Sequence, residues 1–248
     1  MTPERVLALL DRVSDAVGRA LAQVVDWDRP GGRESQYGVD LVADAAALDV
    51  LSALDVNVLS EESGLSDRGH RLTVIVDPLD GSTNASRRVP HYATSLCVVD
   101  EDGPIAALVV HRVSGRRWWA VRGGGAFCDG VRLPTPSVRE WSECVVAVSG
   151  RPPDGAGWAQ FRAFGASAID MCMVADGSVD AFIDMSPSAH SVWDYAAALL
   201  VCREVGLRVE DAQGRDLVVL DPLARRTPMV ADGSHWEQAL AVRRRLPL

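Results

Sequence analysis

The stretch Leu72-Thr73-Val74-Ile75-Val76-Asp77-Pro78-Leu79-Asp80-Gly81-Ser82-Thr83-Asn84 joins an apolar, β-branched run to a turn that carries two acids. The run over 72–76 predicts a buried strand. An Asp at the carboxyl end of such a strand is delivered to the rim where α/β sheets usually hold their ligands. Pro78 fixes a backbone angle, which lets Asp80 turn back toward the point that Asp77 faces. Gly81-Ser82-Thr83 carries no bulky side chain, so its backbone N–H groups can approach an anion, especially if they open a short helix. Carboxylates for a cation beside amides for a phosphate make a phosphoryl-transfer arrangement, and hard oxygen ligands of this kind select Mg2+. Asp-Pro and Asp-Gly are also ordinary turn dipeptides, so residues 77–84 alone read equally well as a tight turn.

Two neighbouring segments shift that balance. Ser60-Glu61-Glu62-Ser63-Gly64 supplies adjacent acids just upstream, and Trp193-Asp194 supplies another at the start of a helical pattern. An Asp at a helix start is by itself a common cap. Around these motifs, Val6, Leu9, Leu10, Val13, Val17 and Leu21 predict an amphipathic helix over 4–25. A second helix is expected from Asp40 to Leu54, and an antiparallel meander from Thr94 to Phe127, with turns at Asp102-Gly103 and Ser114-Gly115. Beyond Pro134 and Pro136 a strand over 144–150, a helix over 165–176, a strand over 179–184 and a helix over 194–205 alternate, as in α/β packing. The expected organisation is one domain over 1–248, with lobes 1–140 and 141–248 meeting near 135–142.

Composition narrows the function. In 248 residues, 25 Lys and Arg against 34 Asp and Glu give a net charge of −9, which argues against a nucleic-acid backbone binder. No uncharged apolar run approaches the roughly 20 residues that cross a bilayer, and no secretory signal is visible, so neither a membrane nor export is expected. Five scattered cysteines, Cys97, Cys128, Cys144, Cys172 and Cys202, fit buried thiols in a reducing, cytoplasmic compartment. No CxxC, HExxH or nucleotide P-loop is present. Trp118-Trp119 with Gly123-Gly124-Gly125-Ala126-Phe127 reads as core packing beside a hairpin bend, although an aromatic-binding element has the same composition.

Together, EESG at 61–64, DPLDGSTN at 77–84 and WDYAAALLVCREVG at 193–206 resemble the inositol monophosphatase superfamily of Mg2+-dependent, lithium-sensitive phosphatases. GGGAFCDG at 123–130 and GASAIDMCMVADGSVDAF at 165–182 add to the resemblance, which covers roughly 40–210 in order. It implies an α/β layered αβαβα sandwich of the inositol monophosphatase and fructose-1,6-bisphosphatase type. It also implies two or three Mg2+ ions per site. Carried over by position, Glu61, Asp77 and the Leu79 carbonyl would hold one ion, and Asp77, Asp80 and Asp194 a second. Ser82 and Glu61 would activate a water, with Asp44 on the Ser82 hydroxyl. Gly81, Ser82 and Ser167 would meet the phosphate, and Asp184 substrate hydroxyls.

The chain departs from the family pattern in places. VDLVADAAAL at 39–48 is shorter between its acids and lacks a Thr, and Ser35-Gln36-Tyr37 holds no Lys. Asp40 is open to a capping or a catalytic role, and Glu62 to supporting Glu61 or facing solvent. Arg87-Arg88 follows the turn and could meet a second anionic group or form a solvated loop. The spacing from Asp184 to Trp193-Asp194 is longer than is usual in the family, with Ser186-Pro187-Ser188-Ala189-His190 lying between.

The function expected is hydrolysis of a small-metabolite phosphate monoester by metal-activated water, with inositol monophosphate first. Histidinol phosphate, fructose 1,6-bisphosphate and 3′-phosphoadenosine 5′-phosphate stay open, because fold does not fix substrate. A catalytically weak regulatory or binding protein is the alternative of another class. The family is often dimeric, which makes a homodimer an expectation.

Overall fold

The computed structural model describes residues 3–32, 36–187 and 189–247; Ser35 and Ser188 lie outside them. Five layers stack in the order helices, sheet, helices, sheet, helix. The first sheet contains β1 (Asn57–Ser60), β2 (Gly64–Ser66), β3 (Thr73–Asp80), β4 (Ala93–Asp100), β5 (Gly103–His111), β6 (Arg117–Val121), β7 (Gly125–Cys128) and β8 (Val131–Arg132). Its order is β2-β1-β3-β4-β5-β6-β7-β8, and only β1 with β3 is parallel. The second sheet contains β9 (Val145–Ser149), β10 (Gln160–Arg162), β11 (Ala181–Asp184), β12 (Arg208–Asp211) and β13 (Pro228–Ala231), in the order β10-β9-β11-β13-β12. Here β10, β9 and β11 run parallel, while β13 is antiparallel to both of its neighbours.

The helices follow from their apolar patterns. α1 (Pro3–Leu21) buries the predicted stripe Val6, Leu9, Leu10, Val13, Val17 and Leu21 against α2 (Gly38–Ser52) and the outer face of the first sheet. α4 (Ser167–Ala175) and α5 (Val192–Glu204) fill the space between the sheets. Ten of the thirteen residues of α5 are buried, which is expected of a helix enclosed on every side. α6 (Trp236–Arg243) covers the far face of the second sheet through Trp236, Ala239 and Val242. A single turn, α3 (Ser82–Ser86), follows β3. The central core unites Leu59, Ile75 and Ala107 of the first sheet with Ala147, Phe182 and Val230 of the second.

These layers are the expected αβαβα sandwich. The strand expected over 72–76 runs on to Asp80, because the acidic turn itself pairs with β4. Trp118 is buried, and Trp119 stacks on Phe127 with ring centroids 4.0 Å apart, so the aromatic pair packs across the β6–β7 hairpin. All five thiols are free and buried. Among the described residues no helix is long and apolar enough to cross a membrane.

Candidate active site

The site starts at an irregularity in β3. Side chains alternate along a strand, so Thr73, Ile75 and Asp77 share a face, and Ile75 places that face toward α5. Three residues on, Asp80 would face the opposite way in a regular strand. The pairing with β4 instead shifts register between Asp77 and Asp80, where Asp77 opposes Ser95 and Asp80 opposes Ala93. One irregular step thus returns Asp80 to the face of Asp77, while Leu79 packs into the α1–α2 core on the other side. The turn is tied down locally: Leu79 N–H donates to Asp77 Oδ1 at 3.0 Å, and Thr94 Oγ1 donates to the Pro78 carbonyl at 2.7 Å.

Other elements bring further acids to the same place. Glu61 follows β1, and its N–H donates to the Val76 carbonyl at 3.1 Å, which sets it beside Asp77. The Glu61 carboxyl lies within hydrogen-bonding reach of the Asp77 carboxyl. Asp194 stands in the first turn of α5, where its Oδ2 accepts the Ser191 N–H at 2.7 Å. The strand and helix are joined by Ser95 Oγ, which donates to the Trp193 carbonyl at 3.2 Å. Asp80 Oδ2 accepts the Ala168 N–H at 2.8 Å and so reaches the start of α4, beside the buried Ser167.

The electrostatics follow from that crowding. Burial, then the charges of Glu61, Asp80 and Asp194, hold Asp77 well above the usual carboxylate range. Burial and Asp194 do the same to Asp80, and burial, Asp194 and Glu62 to Glu61. Asp194 is raised by burial, with His190 and Arg225 opposing. Acids held so close resist full ionisation unless a cation joins them. Among the described residues no three His, Cys, Asp or Glu side chains already close on one point as a metal cage. Mg2+ does not need such a cage: it usually keeps several waters and takes one or two carboxylates plus substrate phosphate. A gathered, all-oxygen set of crowded like charges therefore fits Mg2+, and Glu61, Asp77, Asp80 and Asp194 are the groups that could hold it.

Gly81 caps α3 at φ 84°, a left-handed conformation that favours glycine. A Cβ there would stand 3.0 Å from Ala166 Cβ and 3.1 Å from the carbonyls of Gly165 and His91, so both backbone angle and space require glycine. Asn84 Nδ2 locks the same turn by donating to the His91 and Phe164 carbonyls at 2.8 and 2.7 Å. Ser82 follows, half-buried, as the first residue of α3.

Three acids have partners of their own. Asp44 comes from α2, on the outer face of the sheet, and the hydroxyl seated on its Oδ1 is that of Ser60 at 2.5 Å, not that of Ser82. Asp184 is completely buried, with Ser186 N–H and Oγ on Oδ1 and His190 Nδ1 3.0 Å from Oδ2, so both of its oxygens are engaged within the chain. Asp40 caps its own helix by accepting the Tyr37 N–H at 2.8 Å. Glu62, half-buried, accepts from Gln36 Nε2, and Arg87 and Arg88 are exposed.

Sequence reasoning missed His190. Burial would push its imidazole down, but the bond to Asp184 and the charges of Asp194, Asp184 and Asp80 push it up to about 9. The contact with Asp184 thus favours its charged form. Its signal in the sequence was its place four residues before Asp194, obscured by the lengthened segment between.

Comparison with known proteins gives the following. The profile of the inositol monophosphatase family matches residues 34–245. The chain is 30% identical over 207 residues to the fructose-1,6-bisphosphatase/inositol-1-monophosphatase of Methanocaldococcus jannaschii, covering 81% of this chain and 80% of that protein. It is 30% identical over 208 residues to the Nus factor SuhB of Escherichia coli, covering 77% and 76%. In fold it superposes on a hypothetical protein from Pyrococcus horikoshii, described as similar to inositol-1 monophosphatase, with a TM-score of 0.85 at 24% identity over 96% of each chain.

Proposed function

Because the chain belongs to the inositol monophosphatase family, we propose that it is a Mg2+-dependent phosphatase acting on a small phosphorylated metabolite, with inositol monophosphate the first substrate to test. The observation that carries this reading is the register shift that turns Asp77 and Asp80 to one face, opposite Asp194 and beside Glu61. Mg2+, when bound, lowers the pKa of a water and offsets charge on the phosphate and the departing oxygen. The chain's own part is to place and to move protons. Glu61, raised by its surroundings, is a stronger base once ionised, and with Ser82 it takes the proton of the attacking water. The N–H groups of Gly81 and Ser82 orient the phosphate, which suits a reaction dominated by positioning and electrostatics.

The substrate is open within one chemistry. Asp184, the acid that would select inositol hydroxyls, has both oxygens engaged within the chain, so the preference for inositol monophosphate rests on the relatives. The exposed Arg87 and Arg88 beyond α3 favour keeping fructose 1,6-bisphosphate beside it. Purified protein with Mg2+ and each of inositol monophosphate, fructose 1,6-bisphosphate, histidinol phosphate and 3′-phosphoadenosine 5′-phosphate ranks them by kcat/KM. Phosphate release is expected to need Mg2+ and to collapse in Asp77→Asn; turnover by that variant at the wild-type rate would refute the mechanism.

A relative named as a Nus factor favours a second reading, a regulatory protein with little turnover. A folded protein that binds Mg2+ but releases no phosphate from any of the four esters would support it. A cytoplasmic homodimer completes the proposal, and light scattering after gel filtration tests the dimer.

A further inference from the structure

One group beside the turn has no part in the chemistry above. His91 immediately precedes Tyr92 and β4, and its Nε2 donates to Asp170 Oδ1 at 2.8 Å. Asp170 is buried in the first turn of α4, and the neighbouring Gly165 backbone favours its charged form. The imidazole stacks on Phe164 with centroids 5.0 Å apart. A single side chain thus ties the chain entering β4 to the chain entering α4.

The backbone of His91 completes the clamp. Its carbonyl accepts Asn84 Nδ2, and the same amide reaches the Phe164 carbonyl. It also stands against Gly81 on one side, with Gly165 and Ala166 on the other. Segment 164–168 then offers the Ala168 N–H to Asp80 Oδ2. Any slip of α4 against this turn disturbs both Asp80 and the space around Gly81. Misplacement by about 1 Å can cost on the order of 10²-fold in rate. A histidine that only filled volume would need the stacking and not the carboxylate.

We propose that His91 is a positioning residue: through Asp170 it registers the start of α4 against the Asp77–Asn84 turn, so that Asp80 and Gly81 stand where cation and phosphate need them. The inference rests on the phosphatase reading, and its test separates the two. His91→Phe keeps a ring for Phe164 and loses the donor; His91→Gln returns a donor near the Nε2 position. For each full-length variant, three quantities are measured: Tm without Mg2+, Mg2+ affinity by calorimetry with inorganic phosphate present, and kcat and KM for inositol monophosphate and fructose 1,6-bisphosphate.

His91→Phe is expected to keep Tm within a few degrees while Mg2+ affinity and kcat each fall about tenfold with KM little changed. Tenfold is the scale of one lost hydrogen bond to a carboxylate. His91→Gln recovers most of both, and adding His91→Phe to Asp170→Asn costs nothing more. Wild-type Mg2+ affinity in His91→Phe, or losses that merely follow Tm across both variants, would overturn the proposal. If wild-type protein hydrolyses neither ester, the phosphatase reading fails, and the Mg2+ arm still decides the role of His91.

Discussion

The Ala168 N–H donates to Asp80 Oδ2 at 2.8 Å, binding the first turn of α4 to the last residue of β3. An amide at position 80 can still accept that bond through its oxygen, but it carries no charge. Asp80→Asn is therefore expected to leave Tm without Mg2+ unchanged or slightly raised, since burial and Asp194 already disfavour the ionised acid. The rise in Tm on adding Mg2+ should disappear, and kcat should fall by about 10²–10³, the scale of one lost electrostatic contact. Thermal melts with and without Mg2+, beside steady-state kinetics, check both halves.

Asp40 gives a pH signature of its own. Its Oδ2 accepts the Tyr37 N–H, whereas its buried Oδ1 has no partner among the described residues, and burial pushes the carboxyl up to about 7. Because the folded value lies above the unfolded one, the contribution to stability is complete below about pH 4 and is lost as pH rises to about 7. Asp40→Asn stays neutral throughout. The Tm difference between Asp40→Asn and wild type should move in favour of the variant from pH 4 to pH 8; a difference independent of pH would contradict this.

Mg2+ held by the proposed ligands would compete with protons for one group of acids. Glu61, Asp77, Asp80 and Asp194 are all raised, so cation binding must displace protons that the crowded carboxyls retain. The stabilisation by a fixed Mg2+ concentration should grow between pH 5 and pH 8. Calorimetry in two buffers of different ionisation enthalpy should register proton release on binding. Equal stabilisation at both ends of the range would count against the four acids as ligands.

Asn84 can be tested by polarity alone. Its Nδ2 serves the carbonyls of His91 and Phe164, so Asn84→Ala leaves both without that donor and should cost about 1–3 kcal/mol in urea unfolding. Asn84→Asp has nearly the same shape but sets a carboxylate against those oxygens. It should be the more damaging variant at pH 7 and recover toward pH 4, where a protonated carboxyl can donate again.

Much of this was legible in the sequence. The stripe Val6 to Leu21 wrote α1, although the helix stops at Leu21 and not at 25. DPLDGSTN announced the acidic turn. Pro78 also foretold that Asp80 turns back toward Asp77, but the register shift that achieves it was not legible, since it is set by pairing with β4 and not by local preference. α6 and β13 were missed because Trp236–Arg243 spans barely two turns and Pro228–Ala231 only four buried residues, too short for periodicity to show. The partners of Asp44 and Asp184 were unreadable for a related reason. Sequence position gives an acid's neighbourhood, while the face of the sheet it meets decides whether Ser60 or Ser82, His190 or a substrate, receives it.

α5 lies enclosed between the sheets and carries Asp194 at its start. On the ribosome, Glu61, Asp77 and Asp80 emerge long before that helix does. The four acids therefore cannot stand together until α5 has been made and inserted. An ion held by the complete set would therefore bind only after α5 has joined the first sheet, and it would mark finished assembly.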